Sequence, residues 1–199
     1  MENIREENLK KDLKKSIFEW LDMIVVAVIV VVFIAIVGCR VATIVGNSMQ
    51  NTFFNGEKIL ISKLFYEPAP GDVVVISRNS NNDIDKDNYQ EPIIKRIIAT
   101  GGMYVDIDFK TGNVYTGYIQ SEMELLDEPY IKTLTVKRGD VEFPLYVPEG
   151  KIFVLGDNRG DSLDSRYSEI GLIDEKDILG KAIFRIFPFT KIGGIENYE

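Results

Sequence analysis

Ser48 stands in the stretch Gly46-Asn47-Ser48-Met49, shortly after a long apolar run, in a chain of 199 residues that contains no histidine. A serine hydroxyl is a weak nucleophile until a base takes its proton. Without histidine, neither a Ser-His-Asp nor a Cys-His arrangement can form. Lysine is then the leading choice of base, because an amine can be made neutral whereas a guanidinium cannot. The bland reading of Ser48 is a turn residue, and the tetrapeptide alone has no intrinsic specificity.

Lys95 is the best-placed amine. It lies in residues 93–98 (IIKRII), where strand alternation puts it on one face with Ile93 and Ile97. A free lysine titrates near 10.4. Burial among apolar groups disfavours its charge and brings the neutral form toward physiological pH. A drop of about 2–3 units costs roughly 3–4 kcal/mol, which the fold must supply. The plain alternative is a lysine at a strand edge whose stem reaches water. A third segment, Gly156 to Arg166 (GDNRGDSLDSR), concentrates small, charged and hydroxyl residues. Asp157, Asn158 and Gly160 read as turn formers, and Asp164 with Arg166 as an ion pair pinning a loop. Ser162 is the exception there, since its hydroxyl could orient a neutral lysine amine.

These residues need elements to hold them. Residues 23–37 (MIVVAVIVVVFIAIV) contain no polar side chain. With Leu21, Gly38 and Cys39 the run approaches the roughly 20 residues a helix needs to cross a bilayer. Trp20 falls where tryptophan favours the interface, and Asp22 at an edge where it stays hydrated. Arg5, Lys10, Lys11, Lys14 and Lys15 precede the run, and only Arg40 follows it before Lys58. The positive-inside rule then predicts a cytoplasmic segment 1–20, a transmembrane helix 21–40 and an extracytoplasmic domain 41–199. Two other readings export the same domain: a cleavable signal peptide, and a lipoprotein with Cys39 lipidated, from the loose site Ile36-Val37-Gly38-Cys39. The bland role for Cys39 is a small apolar side chain in the helix.

Composition narrows the classes. The net charge of −8 argues against a nucleic-acid partner. A single cysteine excludes an internal disulfide framework, and with no histidine it excludes Cys/His metal sites. Nothing demands a cofactor, and the oligomeric state is left open. Residues 58–63, 72–77, 93–98, 151–155 and 181–187 read as short strands, and 105–109 with 114–119 as a hairpin. Residues 78–92 (RNSNNDIDKDNYQEP) read as an exposed loop, and 174–178 as one short turn. The expected fold is mostly β: a membrane-anchored domain of short, coiled antiparallel strands with one N-terminal transmembrane helix. Residues 104–150 are set off as a candidate inserted lobe.

In order along the chain, these segments resemble the bacterial type I signal peptidases, of the compact Gram-positive kind, over residues 13–195. The nucleophile motif Ser-Met-x-Pro-Thr is matched by Ser48-Met49-Gln50-Asn51-Thr52, and Gly-Asp-Val-Val by Gly71-Asp72-Val73-Val74. Lys-Arg-Val-Ile-Gly is matched by Lys95-Arg96-Ile97-Ile98-Ala99, and Gly-Asp-Asn-Arg-x-x-Ser-x-Asp-Ser-Arg by Gly156 through Arg166. Residues 126–130 (LDEPY) and 178–185 (ILGKAIFR) are similar to further family segments.

The resemblance implies a membrane-bound serine endopeptidase that removes signal peptides from exported preproteins, with small residues at −1 and −3. It implies Ser48 as nucleophile, Lys95 as general base, Ser162 positioning the lysine, and Asp164 and Arg166 buttressing the site. The Ser48 backbone N–H would hold the oxyanion. Some relatives add a serine hydroxyl two positions earlier, where this chain has Gly46. Asn51 replaces the family's proline, freeing a turn that proline would stiffen. Phe53 and Phe54 could dip into lipid headgroups, though core packing is the better reading. The implied partners are preprotein signal peptides and the lipid bilayer. Two rivals are weighed: a cytosolic self-cleaving repressor of the SOS type, disfavoured by the anchor and the acidic charge, and a non-catalytic exported β domain that binds or scaffolds the export machinery and needs no lysine at 95.

Overall fold

The computed structural model describes residues 2–78 and 91–195. The loop expected at 78–92 thus lies outside the described residues except at its ends. One compact unit, ending at Cys39, is built on a single helix, and a second begins at Arg40. The helix, α1, runs from Glu2 to Gly38. Within it Lys14–Phe33 is long and apolar enough to cross a membrane, and its side chains are exposed throughout. The helix ends two residues short of the expected bound. Cys39 is not in it: it opens the first strand, half-exposed and with a free thiol.

The second unit is mostly β. Its strands in chain order are β1 (Cys39–Thr43), β2 (Lys58–Ser62), β3 (Val73–Ile76), β4 (Ile93–Thr100), β5 (Tyr104–Asp108) and β6 (Asn113–Gly117). They continue as β7 (Glu124–Leu125), β8 (Leu145–Tyr146), β9 (Lys151–Leu155), β10 (Ile173–Asp174), β11 (Ile178–Phe187) and β12 (Gly193–Gly194). The larger sheet has the order β1-β2-β11-β3-β4-β9-β10, with β12 also paired to β11. The smaller is β7-β6-β5-β8, which places the segment 104–150 on its own sheet. The two sheets nonetheless share a core: Ile98, Ala99, Phe153 and Leu155 pack with Val105, Ile107 and Val114. All the strand pairings registered in the two sheets are antiparallel.

Most expected strands recur with small shifts. The expected turn at 174–178 is a 3-10 turn at Glu175–Asp177. β11 is longer than its sequence signal, because Gly180 lets the strand continue where a side chain could not. A Cβ there would meet the Ser62 backbone at 3.0–3.1 Å. Strand β4 is the hub. Ile94 joins one apolar cluster with Met49 and Phe53, Ile97 a second with Val74 and Val154, and Ile98 the third. A strand gripped on all sides by apolar clusters forces its two charged residues, Lys95 and Arg96, out of water.

Candidate active site

Ser48 lies in a tight turn between β1 and β2. The turn is closed by Gln50 N–H to the Asn47 carbonyl (2.9 Å) and by Thr52 and Phe53 N–H to the Met49 carbonyl (3.1 and 2.8 Å). Met49 and Phe53 are fully buried and pin the turn to the core. Gly46 adopts φ +88° and Asn51 φ +103°, a region open to glycine, tolerated by asparagine and closed to proline. A proline at 51 could not adopt this backbone. Asn51 shapes the turn by its sign of φ and does not merely loosen it.

From the other side comes the segment after β9. The Asn158 N–H donates to the Ser48 carbonyl (3.0 Å), and Asn158 Nδ2 to the Asn47 carbonyl (3.1 Å). Gly156 sits against both: a Cβ would lie 2.5 Å from the Ser48 carbonyl oxygen and 2.2 Å from Ser162 Oγ. The Ser48 N–H, by contrast, meets no acceptor among the described residues.

Lys95 is 3% exposed, and its Nζ lies 2.6 Å from Ser48 Oγ. Burial pulls the amine down to about 8. The Asp164 carboxylate opposes that by favouring the charge, Arg78 adds to it, Asp157 opposes it and Arg166 adds to it. As an ammonium Lys95 donates to Oγ; once neutral, the same contact can run from the Ser48 hydroxyl to the nitrogen lone pair.

The other expected residues surround this pair in distinct ways. Asp164 and Arg166 make a fully buried two-pronged pair, Nε to Oδ1 at 2.8 Å and Nη2 to Oδ2 at 2.9 Å. Asp164 also accepts from the Gly156 N–H (3.1 Å). Arg166 donates to the Lys137 and Arg159 carbonyls at 2.9 and 3.0 Å. Ser162 Oγ is buried and has no hydrogen-bond partner among the described residues, so no bond joins it to Lys95. The Gly46 N–H donates to Asn55 Oδ1 (3.1 Å), and a Cβ at Gly46 would meet open space. Phe53 is core, and Phe54 is exposed with Lys191 Nζ 4.3 Å above its ring.

Among the described residues, two further buried pairs carry no local mark of their pairing in the sequence. Arg96 binds Asp157 through Nε (2.9 Å) and Nη2 (2.7 Å), donates to the Gly71 carbonyl (2.7 Å) and stacks 3.9 Å from the Tyr130 ring centre. Arg159 pairs with Glu128 and donates to Thr135 Oγ1 and the Gly156 carbonyl. A guanidinium flanked by isoleucines at 94, 97 and 98 was the available signal, since a buried Arg requires a carboxylate. Its partner, 61 positions away, carries no local mark.

An apolar groove of about 440 Å³ opens between edge strand β1 and the start of β4. Ala42, Ile44, Ile61, Val75, Ile94 and Leu179 line it. β1 and β4 are well separated in the sheet order yet face one groove, so the sheet is coiled.

A sequence profile described as "Signal peptidase, peptidase S26" matches residues 17–187. The chain belongs to this family. Signal peptidase I of Bacillus licheniformis is 33% identical over 196 residues, covering 94% of this chain and 97% of the relative. Signal peptidase IB of Staphylococcus aureus (strain COL) is 32% identical over 197 residues, covering 90% and 94%. Among solved structures, a signal peptidase I from Enterococcus faecalis V583 aligns at a TM-score of 0.40 and 23% identity, over 58% of this chain and 97% of that one. Membership in peptidase S26 makes the chain a serine peptidase, and a Ser–Lys dyad is consistent with that family. It sets aside the repressor reading and the purely scaffolding one.

Proposed function

We propose that this signal peptidase family member cleaves the signal peptides of exported preproteins, with Ser48 as nucleophile and Lys95 as general base. The 2.6 Å contact between Lys95 Nζ and Ser48 Oγ carries this reading, because it joins a hydroxyl to an amine whose proton is already loosened by burial. A binding-only domain has no use for a desolvated lysine against a serine.

The neutral amine takes the Ser48 proton as Oγ attacks the scissile carbonyl, and an acyl-enzyme forms as the amine leaving group receives that proton. Water, deprotonated by the same lysine, then releases the acyl group. The Ser48 N–H supplies one donor to the oxyanion, and Gly46 offers no hydroxyl beside it. One such donor is worth roughly 2.7–4 kcal/mol in a known protease. Ser162 acts as the positioning hydroxyl: buried, without a partner among the described residues and beside Gly156, it can accept an amine N–H once Ser48 turns to the substrate. Asp164 and Arg166 hold that segment in place.

The substrate lies extended along edge strand β1, bonded by its backbone, with alternate side chains in the groove beside Ile44 and Ile94. That groove favours small residues such as alanine at −1 and −3. Helix α1 anchors the chain in the bilayer, with the N-terminus cytoplasmic and residues 41–199 extracytoplasmic.

The test is cleavage of a signal-peptide-bearing preprotein by the full chain, by Ser48→Ala and by Lys95→Ala. Wild type is expected to cleave after small residues, and both variants to lose at least about a thousandfold in rate. A wild type that leaves the preprotein intact overturns the enzyme reading, and a variant with near-full rate overturns the dyad.

A further inference from the structure

Thr52 has every polar group engaged. Its N–H donates to the Met49 carbonyl at 3.1 Å, closing the turn that carries Ser48. Its hydroxyl donates to Asp157 Oδ2. Its carbonyl accepts from Arg185 Nη2. These bonds lead to different parts of the molecule. Asp157 holds Arg96 by both oxygens, and Arg96 follows Lys95 directly in β4. Arg185, on β11, lies 3.0 Å from Glu57 Oε2, with its guanidinium 5.1 Å from the Phe53 ring centre. Glu57 returns to the same loop, since its carbonyl takes the Ile44 N–H at 2.8 Å.

Ser48 and Lys95 come from segments 47 residues apart and meet across a single 2.6 Å contact. A contact of that kind holds only if both backbones are fixed relative to each other. Asn158 secures the carbonyl side of Ser48. The downstream side contains Asn51, whose φ of +103° is held only where its surroundings over-determine it. Thr52 is the next residue, and its two clamps act on that side together with the buried Phe53.

We propose that Thr52 is a positioning residue: its hydroxyl, through Asp157 and Arg96, sets the nucleophile turn in register with the strand that carries the base. Arg185 holds the backbone carbonyl of the same residue. The proposal rests on the Ser48–Lys95 reading above. Its signature is a loss in the chemical step with substrate binding left intact, because Thr52 is not among the residues lining the groove.

The experiment compares wild type, Thr52→Val, Thr52→Ser, Ser48→Ala and Lys95→Ala as full chains in detergent, on a synthetic peptide with alanine at −3 and −1. Measured for each are kcat, KM and the melting temperature. Thr52→Val keeps the shape and removes the hydroxyl. Its kcat is expected to fall at least about tenfold with KM within about twofold, since sub-ångström misplacement is enough for that. Thr52→Ser restores the hydroxyl and is expected to return kcat to within about threefold of wild type. If Thr52→Val does not fold, Thr52→Ala takes its place on the same criteria. A smaller kcat loss in the hydroxyl-less variant, a loss matched by its unfolded fraction, a change confined to KM, or a serine variant as impaired as the valine one overturns the proposal. In each case the dyad reading stands, provided Ser48→Ala and Lys95→Ala are dead. If wild type is inactive, or either dyad variant is active, that reading falls and this one with it.

Discussion

Lys95 carries the tension of the site in a single side chain. Its folded-state value near 8 lies below the 10.5 of the free side chain, with burial as the main cause. The native state therefore binds fewer protons than the unfolded chain between those values, and stability rises with pH across that window. Below pH 8 the full penalty is present, about 3 kcal/mol at about 1.36 kcal/mol per unit. Lys95→Met is thus expected to be inactive yet more stable than wild type at pH 7, with the gap closing by about pH 10.5. Denaturant melts at the two pH values measure it; equal gaps would contradict the buried-charge account. The rate should follow the same group, with kcat/KM rising with pH to a midpoint near 8. Asp164 favours the charged amine, so Asp164→Asn is expected to move that midpoint lower. It should also cost stability, as breaking a buried pair typically costs about 3–5 kcal/mol.

At the level of elements, the site is a turn held between two segments, and its tolerances are steric. A Cβ on Gly156 would stand 2.5 Å from the Ser48 carbonyl, which is backbone and cannot step aside. Gly156→Ala is expected to displace Ser48 and remove most activity while the rest of the sheet persists; cleavage kinetics with circular dichroism check this. Asn51→Pro, though it restores the family residue, is expected to destabilise, since φ +103° lies outside proline's range. Asn51→Gly should be neutral or stabilising. The sequence displayed Lys95 because a lone amine among isoleucines is conspicuous, and it displayed the Asp164–Arg166 pair because the two lie 2 residues apart. It hid Arg159–Glu128 and the Thr52–Asp157 bond because their partners are 31 and 105 residues apart and are joined only by sheet order. The start of β11 was missed for a related reason: Gly180 reads as a breaker until the Ser62 backbone is seen packed against it.

At the level of the molecule, three apolar clusters meet at β4, so the domain should lose its structure in one step. A chain beginning at Cys39, which keeps all of β1, is expected to melt cooperatively and to cleave a short peptide while no longer partitioning into membranes; calorimetry and vesicle sedimentation test both. The overall class, one apolar helix and a mostly-β body, could be read from hydropathy and strand periodicity alone. The sharing of one core by two sheets could not, because it depends on how the strands curl. The buried amine has one further consequence. With a value near 8, about half the molecules hold a free base at pH 8 and roughly a tenth at pH 7. On the proposed topology the domain that holds this amine lies outside the cell, so a medium acidifying from about pH 8 to about pH 7 would throttle the maturation of secreted proteins about fivefold with no inhibitor involved.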